Sequence, residues 1–422
     1  MTSILPGGSL AQYPILITGP WQVQVTSTTL SVTPSPMITV TAERYDALPV
    51  FNPEVAGWGR GARLRGVETQ ETTNRHALEP GSVVVTAADG STVYTRDVDY
   101  ALDEEWATVG RLAGGRIADG QPVAISYRHG LGRIDTVFMD GDGQVGIREG
   151  VPHISVPQPP AMGENDTALA NIWVPARLGQ LTEDQLFPLL ETAYPEPPMP
   201  VPSVAEERLP ATMRKLRDGL PLRILAWGDS VTEAVYLPAQ ADRWQVQFVD
   251  RLRARFPHAN IELISLGWGG RTTACFLNEP PGSAYNYAEQ VLGSTPDLII
   301  SEFVNDAGLS PEQVEERYGK LLADFRQIGA EWIILTPHYV RPDWMGLSRE
   351  RDIDDDPRPY VAGLRRFAAA HHVALADAAL RWGRLWRQGI PYTTLMLNAI
   401  NHPDARGLKL FADSLLALFP EE

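Results

Sequence analysis

Cysteine is nearly absent. Cys275 stands alone in 422 residues, so no disulfide forms within the chain. That suits a reducing compartment, and equally an exported protein that uses none. Basic charge is also short. Lys and Arg number 36 against 52 Asp and Glu, a formal net charge of −16. Non-specific nucleic-acid binding and docking on an anionic membrane both need a basic face, so neither partner is expected. Long apolar runs are missing too. None reaches ~18 residues, so no transmembrane helix is expected. The stretch MTSILPGGSLAQYPILITGP has no basic segment ahead of a long apolar one, so no signal peptide is visible. A cytoplasmic protein, or one exported with its leader removed, fits that reading.

What is present divides the chain. The apolar fraction of 44% is ordinary for a globular protein, and the length suggests two or three domains. Up to about residue 185 the pattern is that of β-structure. WQVQVTSTTLSV and MITVTAERY alternate β-branched with polar residues. SVVVTAADGSTVYTRDV places Asp89-Gly90 between two such runs, a hairpin signal. PVAISYRH and IDTVFMDGDGQVGI continue the pattern, with DGDGQ read as a hairpin turn. An all-β sandwich or jelly-roll-like region is expected over 1–190, in one or two subdomains. YPEPPMPVP makes 191–204 a stiff, proline-rich linker. AEERLPATMRKLRDG then reads as one helix leading into a domain over 205–422.

In that second part, strands alternate with helices. LRILAW, IELISL, PDLIISEFV, EWIILTP and VALAD are interleaved with RWQVQFVDRLRARF, SPEQVEERYGKLLADFRQIG and YVAGLRRFAAAHH, and ARGLKLFADSLLALF closes the chain. Such alternation predicts a parallel sheet covered on both faces, with any site at the carboxyl ends of the strands. Chemistry-bearing residues fall at those ends. Gly228-Asp229-Ser230 follows the first strand, GWGGRTT the second, and FVND the third. LNAINHPDARG puts His402 just before the final helix. Serine at a strand-to-helix turn presents a nucleophile. Glycine N–H groups and an Asn amide can donate to an oxyanion, and a nearby imidazole can act as base.

These four blocks, in this order, resemble the SGNH (GDSL-type) hydrolase family. The resemblance spans roughly residues 205–422. It implies a flavodoxin-like three-layer α/β/α fold around a five-stranded parallel sheet. It also implies Ser230 as nucleophile, Gly270 and Asn305 as oxyanion donors beside the Ser230 N–H, and His402 as base. Neither metal nor organic cofactor is called for. Two departures stand out. Phe303 and Val304 precede Asn305, where the family's block usually begins with Gly. Ala399 occupies the position, three before the histidine, where the family commonly has an Asp. Asn398 is the first candidate to orient His402 instead, with Asn401, a backbone carbonyl, Asp377 and Asp404 behind it, and a bare Ser–His dyad without an orienter stays open.

A β-rich region ahead of such a domain is similar to carbohydrate esterases. The implied function is hydrolysis of short-chain esters, acetyl above all, on a small-molecule or polysaccharide alcohol. Activity is expected to fall below about pH 6, as an imidazole of ordinary pKa near ~6.5 takes up a proton. Trp227, Trp268, His338 and Arg341 are candidates to line the cleft, with Trp344 beside them. RDIDDDPRPY reads as a solvated loop or lid. A lipid or thioester hydrolase on the same fold stays open, as does a glycan-binding or structural protein with a weak hydrolase domain. Oligomeric state is left open.

Overall fold

The structure, a computed structural model, describes residues 14–421. Residues 1–13, part of the stretch read for a leader, lie outside it. The chain forms two compact units. One takes the described residues up to Ala193 together with Arg349–Arg351 and Trp386–Ile400, and the other takes the rest.

The first unit is antiparallel. One sheet is a meander of Ile15–Gly19, Gln22–Val25 and Thr28–Ser31. A four-stranded sheet runs Val145–Arg148, Arg133–Met139, Thr167–Val174, Leu186–Pro188. Two three-stranded sheets complete it. Val123–Gly130 is central to one, and Thr108–Arg111 to the other. The alternation in QVQV is used directly: Val23 and Val25 are buried, while Gln22 is exposed. Two hydrophobic cores result, one around Leu64, Val85, Ile125 and Tyr127, the other around Val25, Val137, Ile172 and Leu186. Both predicted hairpin turns form. Gly90 N–H closes on the Ala87 carbonyl, and Gly143 N–H on that of Asp140.

Residues 386–400 belong to this β unit, whereas the sequence pattern placed them in the 205–422 domain. Asn171 Nδ2 donates to the Gly389 carbonyl at 2.7 Å. Leu190 N–H reaches the Arg387 carbonyl at 2.7 Å. Thr72 Oγ1 donates to the Asn398 carbonyl at 2.6 Å. Such bonds join residues far apart in the chain and leave no periodic trace in either segment.

The second unit is built on a five-stranded parallel sheet. The order is Asn260–Gly267, Pro221–Gly228, Leu298–Glu302, Glu331–Leu335, Ala374–Ala376. In chain order this is 2-1-3-4-5, whose switch point lies between the first and third strands. Leu298–Glu302 is buried at every position, as a central parallel strand requires. Register then sets the site. Gly228 pairs with Gly267 on one side and with Glu302 on the other. The three strands therefore end level, and the segments after them emerge together.

The helices pack in pairs, Trp244–Arg255 with Ala405–Leu416 and Pro311–Gln327 with Pro359–His371. Ser310 and Gln313 form a capping box at the start of Pro311–Gln327. The predicted single helix after the linker is two, Val204–Arg208 and Pro210–Asp218. Pro210 has no N–H to continue the first and is well suited to begin the second.

Candidate active site

Ser230 opens the short helix Ser230–Glu233 directly after the first strand. Its Oγ lies 3.2 Å from His402 Nε2. These two residues are 172 positions apart in sequence and meet only through the fold. The neighbouring loop can come this close because residue 267 is glycine. A Cβ there would lie 2.1 Å from the Glu233 nitrogen.

Two carboxylates shape the donors around Ser230. Asp229 is fully buried. Its Oδ1 accepts from Val231 N–H at 3.1 Å, and its Oδ2 accepts from both the backbone and side-chain nitrogens of Asn305 at 2.9 Å. The second amide hydrogen of Asn305 is left for a ligand. Glu233 accepts from Gly269 N–H at 2.9 Å. The next residue, Gly270, adopts φ +70°, a conformation costly for residues with a Cβ. Its N–H and that of Ser230 have no hydrogen-bond partner among the described residues. Asp306 ties the far end of this loop, taking Thr273 N–H at 3.2 Å and Thr273 Oγ1 at 2.7 Å. Sequence reasoning assigned no role to Glu233 or Asp306. The loops they hold are adjacent only once the sheet is assembled.

His402 sits on the loop preceding the final helix. Tyr236 stacks on its ring, with centroids 4.4 Å apart and planes within 6°. His338 Nε2 lies 2.8 Å from the Asn401 carbonyl, next to His402 in the chain. His338 is fully buried, and burial holds it well below the usual imidazole range. It is therefore neutral, with its proton on Nε2 to donate to that carbonyl. His338 braces the loop and does not line a cleft.

The other cleft candidates are also resolved. Trp227 is completely buried between Phe276, Phe303 and Tyr287. It is core, because its strand is covered on both faces. Trp268 is half-buried, stacks on Tyr285 at 4.3 Å, and lies under the Arg271 guanidinium at 5.1 Å. Arg341 pairs with Asp343 and covers Trp344 within its own loop. Among the orienter candidates, Asn398 Oδ1 accepts from Ile400 N–H at 3.0 Å, which turns the chain at Ala399. Asp377 pairs with Arg365, and Asp404 caps the last helix. RDIDDDPRPY is not simply solvated. Asp356 and Arg358 are buried as an ion pair, and Arg358 also donates to the His338 carbonyl at 2.8 Å. Among the described residues, no cluster of His, Cys, Asp or Glu is arranged to hold a metal ion, and no helix is long and apolar enough to cross a membrane.

The strand order and the alternation of strands with helices define the class of fold, a three-layer α/β build. Residues 226–410 match the model of the GDSL-like Lipase/Acylhydrolase family, so this segment is similar to a domain of that family. No curated protein matches the chain. Solved structures similar to it include LAE5, an alpha/beta hydrolase enzyme from the metagenome of Lake Arreo, Spain. That likeness has 22% identity and a TM-score of 0.37, over 47% of this chain and 94% of the other. CEX, a two-domain esterase active on acetylated mannans, aligns at 19% identity and TM-score 0.40, over 50% of this chain and 52% of its own. Axe2, an acetylxylan esterase from Geobacillus stearothermophilus, aligns at 17% and 0.38, over 47% and 95%.

Three carboxyls lie buried beneath the site. Burial pushes Asp229 up to about 7, against the donors from Asn305 and Val231. Burial, with Asp229 beside it, raises Glu302 well above the carboxylate range. Neither Glu302 oxygen has a hydrogen-bond partner among the described residues. Asp306 is raised too, chiefly by burial. An acid whose pKa is higher folded than unfolded favours folding fully below its unfolded value. That contribution is lost as pH rises through the folded value. Stability is therefore expected to decline from about pH 4 upward through about pH 7, where Asp229 ionises. Glu302→Gln removes one of these titrating groups. Its Tm should gain on the wild type by about 2 °C or more as pH rises past about 5, above the unfolded value of a glutamate. Parallel Tm–pH curves for the two proteins would contradict this.

Proposed function

We propose that the protein removes short acyl groups, acetyl above all, from a carbohydrate alcohol through an acyl-enzyme on Ser230. The observation that carries the reading is the 3.2 Å approach of His402 Nε2 to Ser230 Oγ. His402 takes the hydroxyl proton as Oγ bonds to the ester carbonyl carbon. The carbonyl electron pair moves onto oxygen, which accepts from the N–H groups of Ser230 and Gly270 and from the Asn305 amide. Each such donor is worth about 10²–10³ in turnover. Collapse breaks the bond to the alcohol, which leaves with the proton from His402. Water then repeats the sequence and frees the acid.

Two features favour a small acyl group on a polar alcohol. The glycine loop runs close to the nucleophile, since a Cβ on Gly269 would stand 3.8 Å from that of Ser230. The half-exposed Trp268–Tyr285 stack, with Arg271 over it, flanks the same loop and suits a sugar ring better than an alkyl chain. The test is hydrolysis of 4-nitrophenyl acetate, butyrate and octanoate, followed by acetate release from acetylated polysaccharides. On this reading kcat/KM falls at least about tenfold from acetate to octanoate, as a close-set pocket rejects added methylenes. A rise with chain length would favour a lipid-directed hydrolase. Polysaccharide binding without turnover of any ester would favour a glycan-binding protein.

A further inference from the structure

We propose that Tyr236 is a positioning residue for the base, acting through the face of the His402 ring. The inference rests on the reading of His402 as the base for Ser230. After the Ser230–Glu233 helix, Ala234 caps it in the left-handed region with φ +45°. This turn leaves Val235 exposed and brings Tyr236 back, half-buried, onto the imidazole. The rings are nearly parallel, 6° apart, at 4.4 Å. A face contact restrains tilt of the imidazole while leaving its edge open. That edge carries Nε2, the atom facing Ser230 Oγ.

The same contact changes in value during the reaction. Against neutral imidazole the stack contributes packing. Once His402 has taken the Ser230 proton, the ring is a cation lying over the electron-rich face of a phenol. The attraction is therefore stronger after proton transfer than before it, which is the condition for raising kcat and not merely binding. At a half-buried site the difference is worth about 2- to 30-fold in rate.

The experiment compares Tyr236→Leu and Tyr236→Phe with the wild type on 4-nitrophenyl acetate, with Tm recorded for each. Tyr236→Leu should lower kcat about 2- to 30-fold with KM within about twofold. Tyr236→Phe should rescue most of that loss, because the ring and not the hydroxyl makes the contact. A second series keeps the shape constant, with phenylalanine carrying increasing numbers of fluorines at position 236. As the ring face loses electron density, kcat should fall stepwise. Wild-type kcat in Tyr236→Leu, equal loss in Leu and Phe, or a flat fluorine series would overturn the proposal. His402→Ala separates the two readings. Turnover that survives it removes His402 as base and overturns both. Turnover abolished by it, but indifferent to every change at 236, overturns the role of Tyr236 alone.

Discussion

Ser230→Ala is expected to lower kcat on 4-nitrophenyl acetate by about 10⁴-fold or more, with Tm unchanged. The size follows from what the hydroxyl does. In the proposed mechanism it is the atom that bonds to the acyl carbon, so its loss removes the covalent route entirely. The oxyanion donors remain and sustain only residual catalysis. The fold has no stake in the hydroxyl. Its side-chain hydrogen bond is to His402, and alanine is at home in a helix. Cys275 is half-buried with its sulfur 3.4 Å from Thr272 Oγ1. Equal turnover in mutant and wild type, measured after matched purification, would remove Ser230 from the mechanism.

The second large effect concerns the β unit. Residues 194–422 expressed alone should lose more than about 100-fold in kcat/KM, although they contain Ser230, Gly270, Asn305 and His402. The reason lies just upstream of the histidine. Residues 386–400 are held by the β unit, through Leu190 and Asn171 at one end and Gln70 and Thr72 at the other. His402 follows Ile400 by two residues. Without the β unit these backbone carbonyls lose their donors, and the segment leading to His402 loses its fixed path. A displacement of about 1 Å at a catalytic group is enough for a hundredfold loss. Full activity in the isolated 194–422 fragment would show that the segment needs no such support.

Much of the C-terminal domain is legible in the sequence alone. The five strands and the four major helices announce themselves by apolar runs and by 3.6-residue periodicity, which are local properties. The three strand-end blocks and His402 were legible for the same reason, because each sits where a strand stops or a helix starts. Trp227 and His338 show where that reading ends. Both lie near catalytic blocks in sequence, yet burial of one in the aromatic core and of the other behind the Asn401 carbonyl depends on packing. Proximity along the chain does not say which face of a strand a side chain takes.

By itself the sequence determined the class of fold, the order of its strands and helices, and the residue types stationed at the strand ends. Tertiary structure alone decided which of those residues meet. Register brought Gly228, Gly267 and Glu302 level, Asp229 took hold of Asn305, Tyr236 came to lie on His402, and 386–400 joined the β unit. Periodicity records which face of its own element a residue occupies. Hydrogen bonds and ring contacts between distant segments are set by how whole elements pack, and no local pattern encodes that.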